Sequence, residues 1–214
     1  MINLIGAFIV SLMLFGLLRE RPSLSKGEAR LASLPRWLQA VGILFFASLA
    51  LQEALECFSG LALIAWSNTL FSGLNFWVHE AGHVYFMWGG ELLHSFGGTL
   101  NEIIFPLVPA VYCLRQRLTR LFSVFIFWFA HSCFGIGRYV ADARSQKMEM
   151  IGDPGSTHDW NVILGKLRLL EYDTVLGTLV TALGWTLTVV AIGIYVSTLL
   201  NTRPNSALFA PHDK

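Results

Sequence analysis

Charged residues are scarce in this chain of 214 amino acids, where Asp, Glu, Lys and Arg together make up 14% of the sequence. Average soluble domains carry about 25% charged residues. The net charge is only +1, so the chain has no basic field that would attract nucleic acid. Disorder requires low hydrophobicity and a high net charge, and neither is present. We therefore expect neither an ordinary soluble domain nor a disordered chain, and no nucleic-acid partner.

Cysteine is also rare in this sequence. The three cysteines, Cys57, Cys113 and Cys133, are odd in number and lie within apolar runs. They form no C-x-x-C pair. This pattern excludes a disulfide framework and a metal site built on cysteine thiolates.

Long hydrophobic runs are what the sequence has in abundance. Hydrophobic residues make up 54% of the chain, and the mean hydropathy is +0.57. Such runs approach the roughly 17–25 residues that a helix needs to span a bilayer, and in lipid they must be helical to satisfy their backbone groups. We predict an all-α, multi-pass integral membrane protein with about six transmembrane helices in a single domain, residues 1–214. The predicted helices are Ile2–Leu18, Leu38–Cys57, Leu74–Glu91, Leu100–Leu114, Leu121–Ala143 and Thr174–Leu200.

Three further segments qualify this outline. The first predicted helix has no basic region before it and no small-residue cleavage site, so we interpret it as a retained anchor. The apolar stretch Phe58–Gly73 either extends the second helix or dips into the membrane and returns. The segment His158–Leu170 (HDWNVILGKLRLL) is amphipathic, which predicts a short interfacial helix at about residues 158–170.

Several ionisable residues fall inside the apolar runs. A charge at the bilayer centre costs at least about 2.5–3.5 kcal/mol on insertion scales, so these residues need partners, a metal ion or a water-filled cavity. They are Glu53, Glu56, Glu80, Glu91, Glu102, Asp142 and Arg138, joined by His79, His83, His94 and His131.

The densest group is the pentapeptide HEAGH, residues 79–83, in the third predicted helix. Residues four apart share one face of a helix, so His79 and His83 can occupy two tetrahedral positions on one Zn²⁺. Glu80 then lies beside them as a general base. The alternative is a set of buried polar residues that hydrogen-bond to neighbouring helices.

With this motif in a membrane helix, the sequence resembles the site-2 protease family of intramembrane zinc metalloproteases. The resemblance covers roughly Leu74–Asp142 and is carried by HEAGH, followed by Gly89-Gly90 and Gly97-Gly98. It implies that His79 and His83 are metal ligands and that Glu80 is the general base. In that family the third ligand is an aspartate on a later helix, usually within Asn-Pro-Asp-Gly. This chain has no such tetrapeptide and no PDZ-like insertion.

Candidates for the third ligand therefore follow from their positions relative to the predicted helices. The end of the third predicted helix, the start of the fourth and the end of the fifth lie on one side of the membrane, and Asn101 and Glu102 could line the site there. Asp142 closes the fifth predicted helix and is the preferred third ligand, with an ion pair to Arg138 as its alternative role. His158 is the rival, oriented by Asp159, unless it only caps the amphipathic segment.

The sequence thus predicts a membrane metalloprotease with one Zn²⁺ per chain, whose substrate is a membrane protein or peptide. Three other functions stay open. The same zinc chemistry serves a hydrolase of lipid amides or esters. The two E-x-x-H motifs, Glu80–His83 and Glu91–His94, allow a di-iron carboxylate protein if the helix breaks at Gly89-Gly90. The last alternative is a non-catalytic subunit of a membrane protein complex.

Overall fold

The computed structural model describes residues 65–148 and 157–201, together with scattered positions between 35 and 51. Within these ranges all regular structure is helical, which confirms the predicted all-α class. Short 3₁₀ turns lie at Met87–Gly89 and Leu170–Tyr172. The α-helices are α1 (Ala65–Phe86), α2 (Gly90–Arg115), α3 (Thr119–Ala141), α4 (Asp159–Leu167) and α5 (Asp173–Asn201).

Three helical segments are long and apolar enough to cross a membrane: Ser72–Arg115, Thr119–Ala141 and Leu170–Leu200. The first of them comprises most of α1 and all of α2. The count of about six spans stays a prediction, because Ile2–Leu18 lies outside the described residues. Of Leu38–Cys57 only scattered positions from Val41 to Leu51 are described, and these are helical.

Helices α1 and α2 form a tight hairpin. The chain turns at Gly90, whose φ of 75° belongs to the left-handed region that glycine tolerates. Below the turn Gly82 of α1 lies against Gly97 of α2, and a Cβ on Gly82 would overlap the Gly97 carbonyl group. Small residues at a crossing let two helix backbones approach closely, as is typical of helix pairs in membranes.

The start of α2 differs from the sequence-based prediction. We expected this helix to begin at Leu100, after Gly97-Gly98, but it begins at Gly90. The two glycines lie inside the helix because they are the point of contact with α1, and tertiary packing there outweighs their low helix propensity. The preceding helix likewise begins at Ala65 rather than Leu74, so part of the apolar stretch Phe58–Gly73 belongs to it.

The short helix α4 is amphipathic, as the sequence predicted. Its Leu164 is buried with Ile136, Val140 and Ala143 of the α3 end, which fixes α4 against that helix. Two residues further on, Lys166 forms a 2.5 Å ion pair with Glu91, at the start of α2. Among the described residues, the start of α2 and the end of α3 therefore both contact α4.

The Gly82–Gly97 crossing yields a stability prediction. Gly82→Ala should destabilise the protein by about 1–3 kcal/mol, because the added methyl group meets backbone rather than a flexible side chain. Gly73→Ala in the same helix is the matched control, since its Cβ would meet nothing within 4 Å. The control should be neutral or slightly stabilising, by up to about 1 kcal/mol. Denaturation in detergent micelles measures both, and equal effects would contradict the close crossing.

Candidate metal centre

The two histidines of HEAGH converge on one carboxylate. On α1 the His79 and His83 rings lie 4.7 Å apart between centroids. Their Nε2 atoms lie 3.2 Å and 3.3 Å from Oδ2 of Asp159, the first residue of α4. Each of the three residues places one ligand atom within 4.8 Å of the others, and they form a group that could hold a metal ion.

The other ring nitrogens fix the tautomers of both histidines. His79 Nδ1 lies 2.6 Å from Oε1 of Glu102, and His83 Nδ1 lies 2.8 Å from the carbonyl oxygen of His94. Both partners are acceptors when Glu102 is ionised, so each Nδ1 carries a proton, and each Nε2 keeps its lone pair when its ring is neutral. Histidine ligands in metal sites characteristically donate their second N–H to a carboxylate or carbonyl group in this way.

Three electron-pair donors therefore point at a common position. Two imidazole lone pairs and a carboxylate oxygen repel one another unless a cation, either a proton or a metal ion, lies between them. In a tetrahedral zinc site with bonds of about 2.0–2.1 Å, the ligand atoms are about 3.3–3.4 Å apart. The separations of 3.2 Å and 3.3 Å from Asp159 Oδ2 are close to that spacing and are also hydrogen-bond distances, so the donor set is compatible with zinc and with shared protons.

Asp159 is held as an anion. Burial opposes ionisation of this carboxyl group, but hydrogen bonds donated by His79 and His83 in their protonated forms outweigh burial, and its pKa lies well below the usual range. An ionised carboxylate is the form that binds a metal. The three side chains are only 11–14% exposed, so they face a nearly enclosed space.

Helix α2 holds the α1 histidines in place. A Cβ on Gly98 would overlap the His79 imidazole, so glycine at this position leaves room for the ring. Asn101 Nδ2 donates a 2.5 Å hydrogen bond to the carbonyl oxygen of Val78, which pins the α1 backbone beside the ligand. We expected Asn101 to line the site; its amide group is used in this hairpin contact instead.

Asp142, the third ligand preferred from sequence, lies outside this group. Its carboxylate accepts hydrogen bonds from the backbone N–H groups of Lys147 (3.0 Å) and Met148 (2.9 Å) and from the Ser145 hydroxyl group. Burial opposes ionisation, but these donors outweigh it and lower the pKa of Asp142. The residue therefore anchors the loop that follows α3.

His158, the rival ligand, is the N-cap of α4. Its Nδ1 accepts the backbone N–H of Asn161 at 3.3 Å, which is the capping role considered as its alternative. Nε2 lies 3.6 Å from Oδ2 of Asp142, beyond hydrogen-bond distance. Burial lowers the pKa of His158 despite the nearby carboxylates, so the ring is neutral at pH 7.

Glu80, the predicted general base, is exposed on α1 between the two histidines in sequence. Its carboxylate lies close enough to Tyr139 of α3 for the two side chains to interact electrostatically. Tyr139 in turn contacts Asp159 and the His79 ring. Consecutive helical residues are about 100° apart, so Glu80 lies about a quarter turn around α1 from His79.

The second E-x-x-H motif lies against the first, because the helix breaks at Gly89-Gly90, as a di-iron site would require. The His83 and His94 rings are 5.0 Å apart between centroids, and His94 Nδ1 lies 3.0 Å from the carbonyl oxygen of His83. Glu91, however, forms an exposed ion pair with Lys166 of α4. Glu53 and Glu56, the other carboxylates considered for a di-iron site, lie outside the described residues. Among the residues that are described, the group that could hold a metal ion comprises His79, His83 and Asp159, without Glu91 or His94.

Sequence reasoning missed Asp159 as a member of the candidate metal group and Glu102 as the partner of His79. The signal for Asp159 was its position beside His158 in an amphipathic segment, where it was expected only to orient that histidine. Glu102 was expected to line the site without a specific partner. Its pairing with His79 depends on the hairpin register, which the misplaced start of α2 obscured.

Comparison of the chain with models of known protein families, with curated proteins and with solved structures gave no match. The assignment of the site therefore depends on the geometry and chemistry of its own residues.

The third ligand can be identified by zinc content. Asp159→Asn should weaken zinc binding by more than about 100-fold, because loss of an outer partner alone costs about 10–100-fold. Asp142→Asn is the matched control and should bind zinc as the unaltered protein does. Elemental analysis after a wash with a weak chelator measures both. Zinc loss in Asp142→Asn but not in Asp159→Asn would restore the ligand first expected from sequence.

Proposed function

We propose that the protein is a multi-pass intramembrane zinc metallopeptidase that cleaves peptide bonds of membrane-embedded or membrane-proximal substrates. The observation that carries this proposal is the convergence of His79 Nε2, His83 Nε2 and Asp159 Oδ2, with both imidazole tautomers set by acceptors on α2. Zn²⁺ bound by these three residues would polarise a carbonyl group and lower the pKa of water in its open position.

Glu80 and Glu102 would take the remaining roles in the reaction. Glu80 follows the first ligand and is exposed, so it can accept a proton from water and return it to the leaving amine nitrogen. Glu102 orients His79 and, as an anion, strengthens the imidazole as a ligand. Because the three ligand side chains are nearly buried, a substrate would have to bring its peptide bond close to both the centre and the exposed Glu80 side chain.

The position of the centre in the bundle supports a membrane substrate. His83 lies about one helical turn before α1 ends at Phe86, so the centre is near one end of the apolar helices. Trp88, which is 78% exposed, and the Lys166–Glu91 ion pair lie at the same end. Trp and charged residues of this kind favour the membrane–water interface. A helical substrate would have to unwind there, because its carbonyl groups are otherwise hydrogen-bonded.

The resemblance to site-2 proteases supports the same reaction. That family takes its third ligand from an aspartate on a later helix, and Asp159 opens a later helix of this chain. The surrounding residues, His158-Asp159-Trp160, differ from Asn-Pro-Asp-Gly. The family's pattern is therefore matched in ligand type and chain order but not in the local motif.

Glu80→Gln tests the reaction. The variant should lose about 10²–10⁴-fold in cleavage rate, since it lacks the proton acceptor, yet keep the zinc content of the unaltered protein. Cells that produce either form can be compared by sequencing new protein N-termini in their membranes. Glu171→Gln, in the Leu170–Tyr172 turn, is the control and should cleave normally.

Two outcomes would overturn the proposal. Equal sets of new N-termini with Glu80→Gln would remove Glu80 as the base. Lipid amide or ester products that depend on Glu80, without new N-termini, would replace the peptidase by the lipid hydrolase that uses the same metal chemistry.

A further inference from the structure

The side-chain hydroxyl group of Tyr139, on α3, contacts both the backbone and the side chain of Asp159. The tyrosine hydroxyl group accepts the backbone N–H of Asp159 at 3.1 Å. It lies 3.2 Å from Oδ2 of the same residue, to which it donates its single proton. Oδ2 is also the atom that the Nε2 atoms of His79 and His83 approach. One hydroxyl group therefore fixes the oxygen that completes the candidate metal centre.

Asp159 is the first residue of α4, and a residue outside this helix is needed to orient its side chain. A carboxylate in the first turn of a helix is attracted to the unpaired N–H groups of that turn. In this helix His158 caps Asn161 instead, which leaves the Asp159 side chain available for another role. The Tyr139 ring packs on the His158 ring at 4.2 Å, so the same side chain also braces the capping residue.

The same tyrosine links both sides of the centre. Its ring contacts His79 edge-on, with centroids 6.0 Å apart, while its hydroxyl group holds Asp159. The histidines belong to α1 and the aspartate to α4, and no covalent constraint sets the distance between these helices. Tyr139 on α3 touches a ligand from each, so it determines where the third donor lies relative to the pair.

We propose that Tyr139 is the positioning residue of the metal centre: its hydroxyl group holds Asp159 Oδ2 at the ligand position beside His79 and His83. The proposal rests on the zinc centre of the proposed function. Outer partners of metal ligands contribute about 10–100-fold to metal affinity. Removal of the hydroxyl group should therefore weaken zinc binding by a factor in this range.

Tyr139→Phe removes the hydroxyl group and keeps the ring that packs on His158. Zinc affinity is measured on the purified full chain in detergent micelles, by competition with a chromogenic chelator. We expect about 10–100-fold weaker binding for this variant. Tyr172→Phe, at an exposed position in the Leu170–Tyr172 turn, should bind as the unaltered protein does.

A double-mutant cycle separates positioning from a general structural role. In an Asp159→Ala background the hydroxyl group has no carboxylate to position, so Tyr139→Phe should not weaken zinc binding further. A purely structural contribution would lower the affinity by the same factor in both backgrounds, and that result would overturn the proposal.

The remaining outcomes distinguish this proposal from the function on which it depends. If the unaltered protein binds zinc and Tyr139→Phe binds it equally well, the positioning role is wrong and the metal centre remains. The positioning role is equally wrong if Tyr139→Phe slows cleavage without a change in affinity, because the hydroxyl group then acts on the substrate. If the unaltered protein binds no zinc, the metal centre and the positioning role both fail.

Discussion

The organisation of the site depends on one constraint, the crowding of three electron-pair donors around a single position. His79 and His83 have their Nδ1 protons committed to acceptors on α2, so their Nε2 lone pairs and Asp159 Oδ2 face one another. Such an arrangement is unfavourable in a nearly buried space unless a cation is shared. The packing of the helices around the site holds these donors together.

The position of each donor depends on contacts between helices. The α1–α2 hairpin brings Glu102 to His79, and it does so because Gly82, Gly97 and Gly98 let the two backbones approach. The end of α3 holds α4 through an apolar cluster around Leu164. The site is therefore assembled by packing of helix ends, and a substitution at one of these glycines would alter its geometry.

The sequence was sufficient for the helical class and for placing His79 and His83 side by side on one helix face. HEAGH predicts this pair because a spacing of four residues is a property of the helix itself. The third member of the group could not be found in the same way, since its position depends on how α4 packs. His158 and Asp159 are adjacent, and only the packed structure decides that one caps the helix and the other faces the pair. Glycine in α2 misled the prediction because helix propensity is local and the Gly82–Gly97 contact is not.

Charge balance offers a physical reason for the composition of this group. Asp159 and Glu102 would contribute two negative charges beside the apolar helices, at a cost of several kcal/mol if unpaired. One divalent cation bound by Asp159 and two neutral histidines would bring the sum to zero, as would protonation of both imidazoles. With a bound ion, Glu102 would both orient His79 and neutralise the charge that Asp159 alone leaves on that ion.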